Sequence, residues 1–139
     1  MSSTNLHSLL ISLFDNAPVT KTLGVTLEYN AEGEATCRWR RNPNLDHGGQ
    51  DTHGGIIATL LDIAGWFTAA AKSGQAVVTS DIHVRLLQAA KQQDLVATAR
   101  IIRMGSRSVV TEMTVSSAAG GLVAIATASF AKLGELPAR

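Results

Sequence analysis

Four groups near the middle of the chain have the types and spacing to do chemistry on a carbonyl. Asp62 lies in "TLLDIAGW", among the most apolar neighbours in the sequence. An ionised carboxylate in a dry interior is costly unless something compensates it, so Asp62 either occupies the one wet face of a helix or serves a site. At helical spacing its face holds Gly55, Ala58, Thr59, Gly65, Trp66 and Ala69, mostly small residues that leave room beside the carboxylate. Gly54 and Gly55 stand where a loop becomes that helix. The first helical N–H groups have no intrahelical acceptor, and the helix dipole is positive there. Without a Cβ in the way, a substrate oxygen can approach those amides, which makes an oxyanion hole. A tight turn that simply needs glycine is the alternative. His53, just before, orients the loop or polarises a carbonyl.

The stretch "HGGQDTHGG" repeats its His-Gly-Gly unit. The copy at His53 opens a helix and can grip an anion. The copy at His47 lies inside a loop, where Gly48 and Gly49 read as a turn and His47 is free to point into a cleft. Gly55 and Asp62 share a helix face but are about 10 Å apart along its axis. One carbonyl must touch both its attacking group and its oxyanion donor. Two such helices packed antiparallel, one from each of two subunits, meet that demand, so the spacing favours a dimer with shared sites.

Other candidates are weaker. Cys37 shares a strand face with Trp39 and reads as core. The four histidines show no metal-ligand spacing, and no G-x-S-x-G or P-loop motif is present. No cofactor is expected. Arg85, Lys91, Arg100, Arg103 and Arg107 stand against the single acid Asp94 over residues 85–107. Such a cluster is either a solvated sheet face or a site for a phosphorylated ligand such as coenzyme A. On the second reading Arg103, Ser106 and Arg107, with Gly54, are candidate substrate-binding residues.

These residues must be positioned by ordinary elements. Leu6, Leu9, Leu10, Leu13 and Phe14 predict an amphipathic helix within residues 1–17, ended by Asn16-Ala17-Pro18. "GVTLEY" and "EGEATCRWR" read as strands joined at Glu32-Gly33. Residues 41–52 are a loop. "GGIIATLLDIAGWFTAAAK" predicts a central helix over residues 54–72, apolar nearly all round and therefore buried on most sides. Ser73-Gly74 closes it. Four strand-like stretches follow, "AVVTSDIHVRLL", "DLVATARIIRM", "SVVTEMTVSS" and "GLVAIATASFAKL", with short connections that suggest an antiparallel meander. Segregated helices and strands make an α+β protein, here an antiparallel sheet wrapped around the long helix.

The chain has 139 residues, enough for one domain, and 45% of them are hydrophobic. Only six are aromatic, so the core must be aliphatic. A formal charge of +1 argues against nucleic-acid binding by the whole surface. A single cysteine excludes an internal disulfide and fits a reducing compartment. The first residues, "MSSTNLHSLLISLF", lack the basic start of an export signal and are too short to span a membrane. A cytoplasmic soluble domain is the expectation.

With "THGGIIATLLDIAGW" in place, the chain resembles a hotdog-fold acyl-CoA thioesterase of the phenylacetic-acid-degradation type. That group carries a His-Gly-Gly turn into a central helix, with an acidic residue nine positions after the histidine; here these are His53, Gly54, Gly55 and Asp62. "VVTSDIHVRLLQAA", "ATARIIRMGSRSVV" and "GLVAIATASF" extend the likeness over residues 20–132. The resemblance implies hydrolysis of an aryl- or medium-chain acyl-CoA to a free acid and coenzyme A. Asp62 would be general base or nucleophile, the Gly55 N–H the oxyanion donor, and His53 the support of that loop. His47 stands where relatives more often show Asn or Gln to polarise the carbonyl. Thr79 matches a Ser or Thr that orients the attacking water, although period-2 alternation puts it on a face with Asp81, His83 and Arg85. The usual proline after the third strand is absent from "LLQAA". The resemblance also implies dimers that pair into tetramers. Other classes remain: a non-catalytic acyl-CoA or partner-binding hotdog domain, which needs no acid at 62, and a hotdog hydratase or dehydratase, whose paired histidine-acid motif is not found.

Overall fold

The computed structural model describes residues 2–136. Helix α1, Ser3–Asn16, starts where the Ser2 hydroxyl accepts the Asn5 N–H, and it buries Leu10 and Phe14. Proline ends this helix as expected but also begins another. Pro18 occupies the first turn of α2, Pro18–Leu23, where its missing N–H costs nothing. Strands β1 (Val25–Tyr29) and β2 (Ala35–Trp39) then form a hairpin. In β2 the expected alternation holds: Ala35, Cys37 and Trp39 are buried, while Arg38 and Arg40 face solvent.

The central helix α3 runs Gly54–Ser73 and buries Ile57, Leu60, Leu61, Ala64, Gly65, Thr68, Ala69 and Ala70. Gly74 ends it in the left-handed conformation, φ 69°, and its N–H caps the Ala70 carbonyl. Twenty residues this apolar have the length to cross a bilayer. Here the sheet covers one side of the helix, contacting it with β2, β3, β4, β5 and β6. Contact is close at Gly65. A Cβ there would lie 3.0 Å from Met113 Sδ and Phe130 Cζ, and 3.1 Å from Thr111 Oγ1. The space that glycine leaves next to Asp62 is therefore filled by the sheet rather than kept for a ligand.

Strands β3 (Ala76–Leu86), β4 (Leu95–Met104), β5 (Ser108–Ser117) and β6 (Leu122–Gly134) complete one six-stranded antiparallel sheet in the order β1-β2-β4-β5-β6-β3. The expected meander holds only for β4-β5-β6. Strand β3 pairs with β6 instead of β4, so residues 87–94 carry the chain from the β3 edge past β6 and β5 to β4 in the sheet's interior. This leaves β3, long and apolar on one face, as an edge strand. The architecture is α+β, an antiparallel sheet curled on a long helix.

Candidate functional site

Strand β3 runs back along α3, and three contacts set their register. The Trp66 indole N–H donates to the Val77 carbonyl at 2.8 Å, and the Thr79 hydroxyl donates to Asp62 Oδ1 at 2.9 Å. Near the helix start, Leu86 lies over Gly54, where a Cβ would come within 2.6 Å of Leu86 Cδ1. Sequence reasoning did not assign Leu86 a role. Its apolar type at a strand end was the only available signal.

Thr79 reaches Asp62 because of a β-bulge. Strand β3 pairs Thr79 with Phe130 and Asp81 with Ser129, which leaves Ser80 as an extra residue. A bulge of this kind reverses the inward-outward alternation beyond it. Thr79 therefore shares the inner face with Ile82 and Val84, whereas Asp81, His83 and Arg85 face outward. The expectation that Thr79 lies with those three is corrected.

Asp62 is half-buried on the flank of α3. Burial pushes its carboxyl above the ordinary carboxylate range, and the Thr79 hydrogen bond pulls it part of the way back. A carboxylate in this setting holds a proton more readily than a solvated one.

The helix start differs from expectation. His53 is the N-cap of α3, and its Nδ1 accepts the Gly55 N–H at 2.9 Å. The Gly55 amide is therefore not free; an imidazole nitrogen two residues back reaches it before any ligand. Among the described residues the Gly54 N–H has no acceptor, so the open amide at the helix tip belongs to Gly54. The first His-Gly-Gly copy repeats the device. His47 Nδ1 accepts the Gly49 N–H at 2.8 Å, so His47 is not a free side chain. Each bond requires an unprotonated Nδ1, which leaves the proton on Nε2. The repeat thus fixes the tautomer of two exposed imidazoles, both presenting an Nε2–H donor.

The basic residues do not gather into one patch. Arg100 is paired with Glu112 on the outer face of the sheet at 3.1 Å. Arg85 lines a shallow outer-face cavity of about 280 Å³ with His83 and Thr127. Lys91 precedes β4, whereas Arg103, Ser106 and Arg107 lie at its far end, about 30 Å away along the strand. Arg103, Ser106 and Arg107 are exposed around the β4–β5 turn. That turn is on the Thr79 side of the sheet, three strands across from it through Phe130, Val109 and Met104. Cys37 is core, as expected, and burial pushes its thiol up to about 12, which keeps it protonated and inert. Among the described residues no cluster of three His, Cys, Asp or Glu side chains could hold a metal ion.

A long helix cradled by an antiparallel sheet, with an acid on its flank and an open amide at its tip, is the hotdog thioesterase fold. The chain belongs to the thioesterase superfamily, whose family model matches residues 49–124. It is 36% identical over 115 residues to a proposed esterase of Halobacterium salinarum, covering 78% of this chain and 76% of that protein. A Bacillus halodurans protein whose crystal structure was solved with CoA superimposes with a TM-score of 0.78 at 26% identity, over 99% of this chain and 91% of that one. The Escherichia coli PaaI protein, from the phenylacetic acid degradation operon, shares the fold with a TM-score of 0.85 at 21% identity, over 96% and 95% of the two chains. At the general level the protein is a thioester hydrolase.

Proposed function

We propose that the protein hydrolyses acyl-CoA thioesters carrying aryl or medium-chain acyl groups, giving a free acid and coenzyme A. The observation that carries this reading is the Thr79–Asp62 hydrogen bond, a positioned hydroxyl and a half-buried carboxylate on an otherwise apolar helix. As general base, Asp62 takes a proton from water as the water oxygen bonds to the thioester carbon. The tetrahedral intermediate then collapses, the C–S bond breaks, and the proton passes to the departing thiolate. As nucleophile, the Asp62 carboxylate would instead attack the thioester carbon and expel coenzyme A as a thiolate when the C–S bond breaks. The mixed anhydride left behind is cleaved by water to the free acid and the restored carboxylate. Thr79 orients the attacking group in either route. Thioesters lack the resonance of esters, so one carboxylate and a few fixed donors can suffice without a Ser-His-Asp triad. The carbonyl oxygen is received by the Gly54 amide and by the Nε2–H of His53 and His47, with Gly55 joining when His53 releases it. Arg103, Ser106 and Arg107 bind the phosphorylated end of coenzyme A.

Two copies of the chain complete each site. Gly54 and Asp62 of one protomer are about 12 Å apart along α3, too far for one carbonyl. Edge strand β3 has its Thr79–Asp81 bulge close to its middle and Leu86 at its end. Antiparallel pairing of two β3 strands about a point midway between Thr79 and Leu86 would set the Gly54 end of one protomer against the Thr79–Asp62 pair of its partner. These dimers pair into tetramers. Mixing Asp62→Asn with Gly54→Ala protomers should then restore activity to about a quarter of wild type, because half of randomly formed dimers carry one intact site. The reaction itself is tested by thiol release from a panel of acyl-CoAs. Turnover of aryl or medium-chain thioesters is expected. Tight binding of CoA without turnover of any thioester would make the protein a binding module instead.

A further inference from the structure

The segment that delivers His47, His53 and Gly54 to the site is a small hairpin. Its rungs are the His53 N–H to Leu45 carbonyl bond at 3.0 Å, the Asp46–Thr52 bridge, and the His47 N–H to Asp51 carbonyl bond at 2.9 Å. The hairpin is strapped to the turn at residues 90–93, which lies between β3 and β4. There the Gln92 N–H donates to Asp51 Oδ1 and the Gln92 side-chain amide donates to the Gln50 carbonyl, both at 3.0 Å. One residue beyond, Asp94 Oδ1 accepts the Arg41 N–H at 2.9 Å. The Arg41 side chain pairs with Asp46 in a largely buried contact and also reaches the Gln50 carbonyl at 3.4 Å. The Gln50 carbonyl is therefore held from two sides.

Backbone strain collects at the same junction. Among the described residues, the only non-glycine residues with positive φ are Gln50 (66°), Lys91 (54°) and Gln92 (59°). Two consecutive left-handed residues suit glycine or asparagine, and other residues there cost free energy that surrounding contacts must offset. At residue 92 a glycine would fit the backbone better. What glycine lacks is the amide that grips Gln50.

We infer that Gln92 is a positioning residue, which together with the Arg41–Asp46 pair fixes the hairpin so that His47, His53 and Gly54 meet the substrate in one geometry. The role rests on the proposed function, although Gln92, Arg41 and Asp46 themselves do not touch the substrate. Gln92→Gly relieves the strained backbone while deleting the grip, and Gln92→Glu keeps the side-chain length but removes the donor. In both variants kcat should fall about tenfold with KM within about twofold, the scale of a small misplacement of catalytic groups. The melting temperature of Gln92→Gly should stay level or rise, which a merely structural role for the side chain would not produce. Amide hydrogen exchange supplies a readout independent of turnover. Exchange at His47, Gln50 and His53 should quicken in both variants, while the buried middle of α3 keeps its protection. If wild type turned over no thioester, the proposed function would fail and the exchange data would still decide the brace. Unchanged exchange at those three amides, or wild-type kcat in either variant, would overturn it.

Discussion

The Thr79 hydroxyl meets Asp62 Oδ1 at 2.9 Å only because Ser80 bulges out of β3 and turns Thr79 toward the helix. The bond stabilises the ionised carboxylate against the burial that disfavours it. Thr79→Val removes the donor at nearly constant volume. The acid limb of the kcat/KM profile should move to higher pH, because the carboxyl then holds its proton longer. On the acid limb, below the pKa of both proteins, the value should fall by about tenfold, the scale of one hydrogen bond to a charged group. Thr79→Ser should behave as wild type. A pH–rate profile of the three proteins checks this, and an unmoved limb in the Val variant would show that the bond does not act on the ionised form.

The same burial makes a prediction about stability. A carboxyl whose folded pKa is raised binds protons more tightly folded than unfolded, so its ionised form destabilises the fold. The cost is absent below the unfolded value of about 3.9, grows as pH rises from there through the raised folded value, and is complete above it. Asp62→Asn removes the charge, so the variant should melt higher than wild type at pH 8, with the difference vanishing near pH 3.5. Thermal unfolding at the two pH values measures it. A variant that melts lower at pH 8 would mean that the carboxylate is stabilised by a partner.

Gly65 and Gly54 should respond differently to alanine. At Gly65 the new methyl meets Met113, Phe130 and Thr111, all fully buried. Overpacking costs about 1–3 kcal/mol and better helix propensity returns about 1 kcal/mol, so the melting temperature should drop by several degrees. At Gly54 the methyl meets only Leu86, an exposed side chain whose tip can move. Stability there should hold while thiol release falls, because the methyl crowds the open amide. Calorimetry together with the activity assay separates the two cases.

The elements were legible where composition and period carry the information. An unbroken apolar run from Gly54 reads as a buried helix, and an acid inside it stands out as Asp62. The face of Thr79 was not legible, because a one-residue bulge leaves no mark on a period-2 pattern. Nor was the place of β3, since the short links that suggest a meander are equally compatible with a strand that crosses to the far edge. The occupied Gly55 amide depends on the reach of the His53 ring, and the grip of Gln92 joins residues 42 positions apart in sequence. The first is a local contact across two residues that turns on a side-chain rotamer, which residue type alone does not fix, and the second is a tertiary one.

The most direct test is thiol release by Asp62→Asn from the best acyl-CoA of the panel, read in single turnovers with folding and assembly verified. The Asn side chain matches Asp62 in shape but cannot take a proton from water. A loss of about 10²–10⁴-fold in the chemical step is expected, the usual contribution of a general base. A variant that cleaves the thioester within a few-fold of wild type would contradict the assignment of the chemistry to this carboxylate.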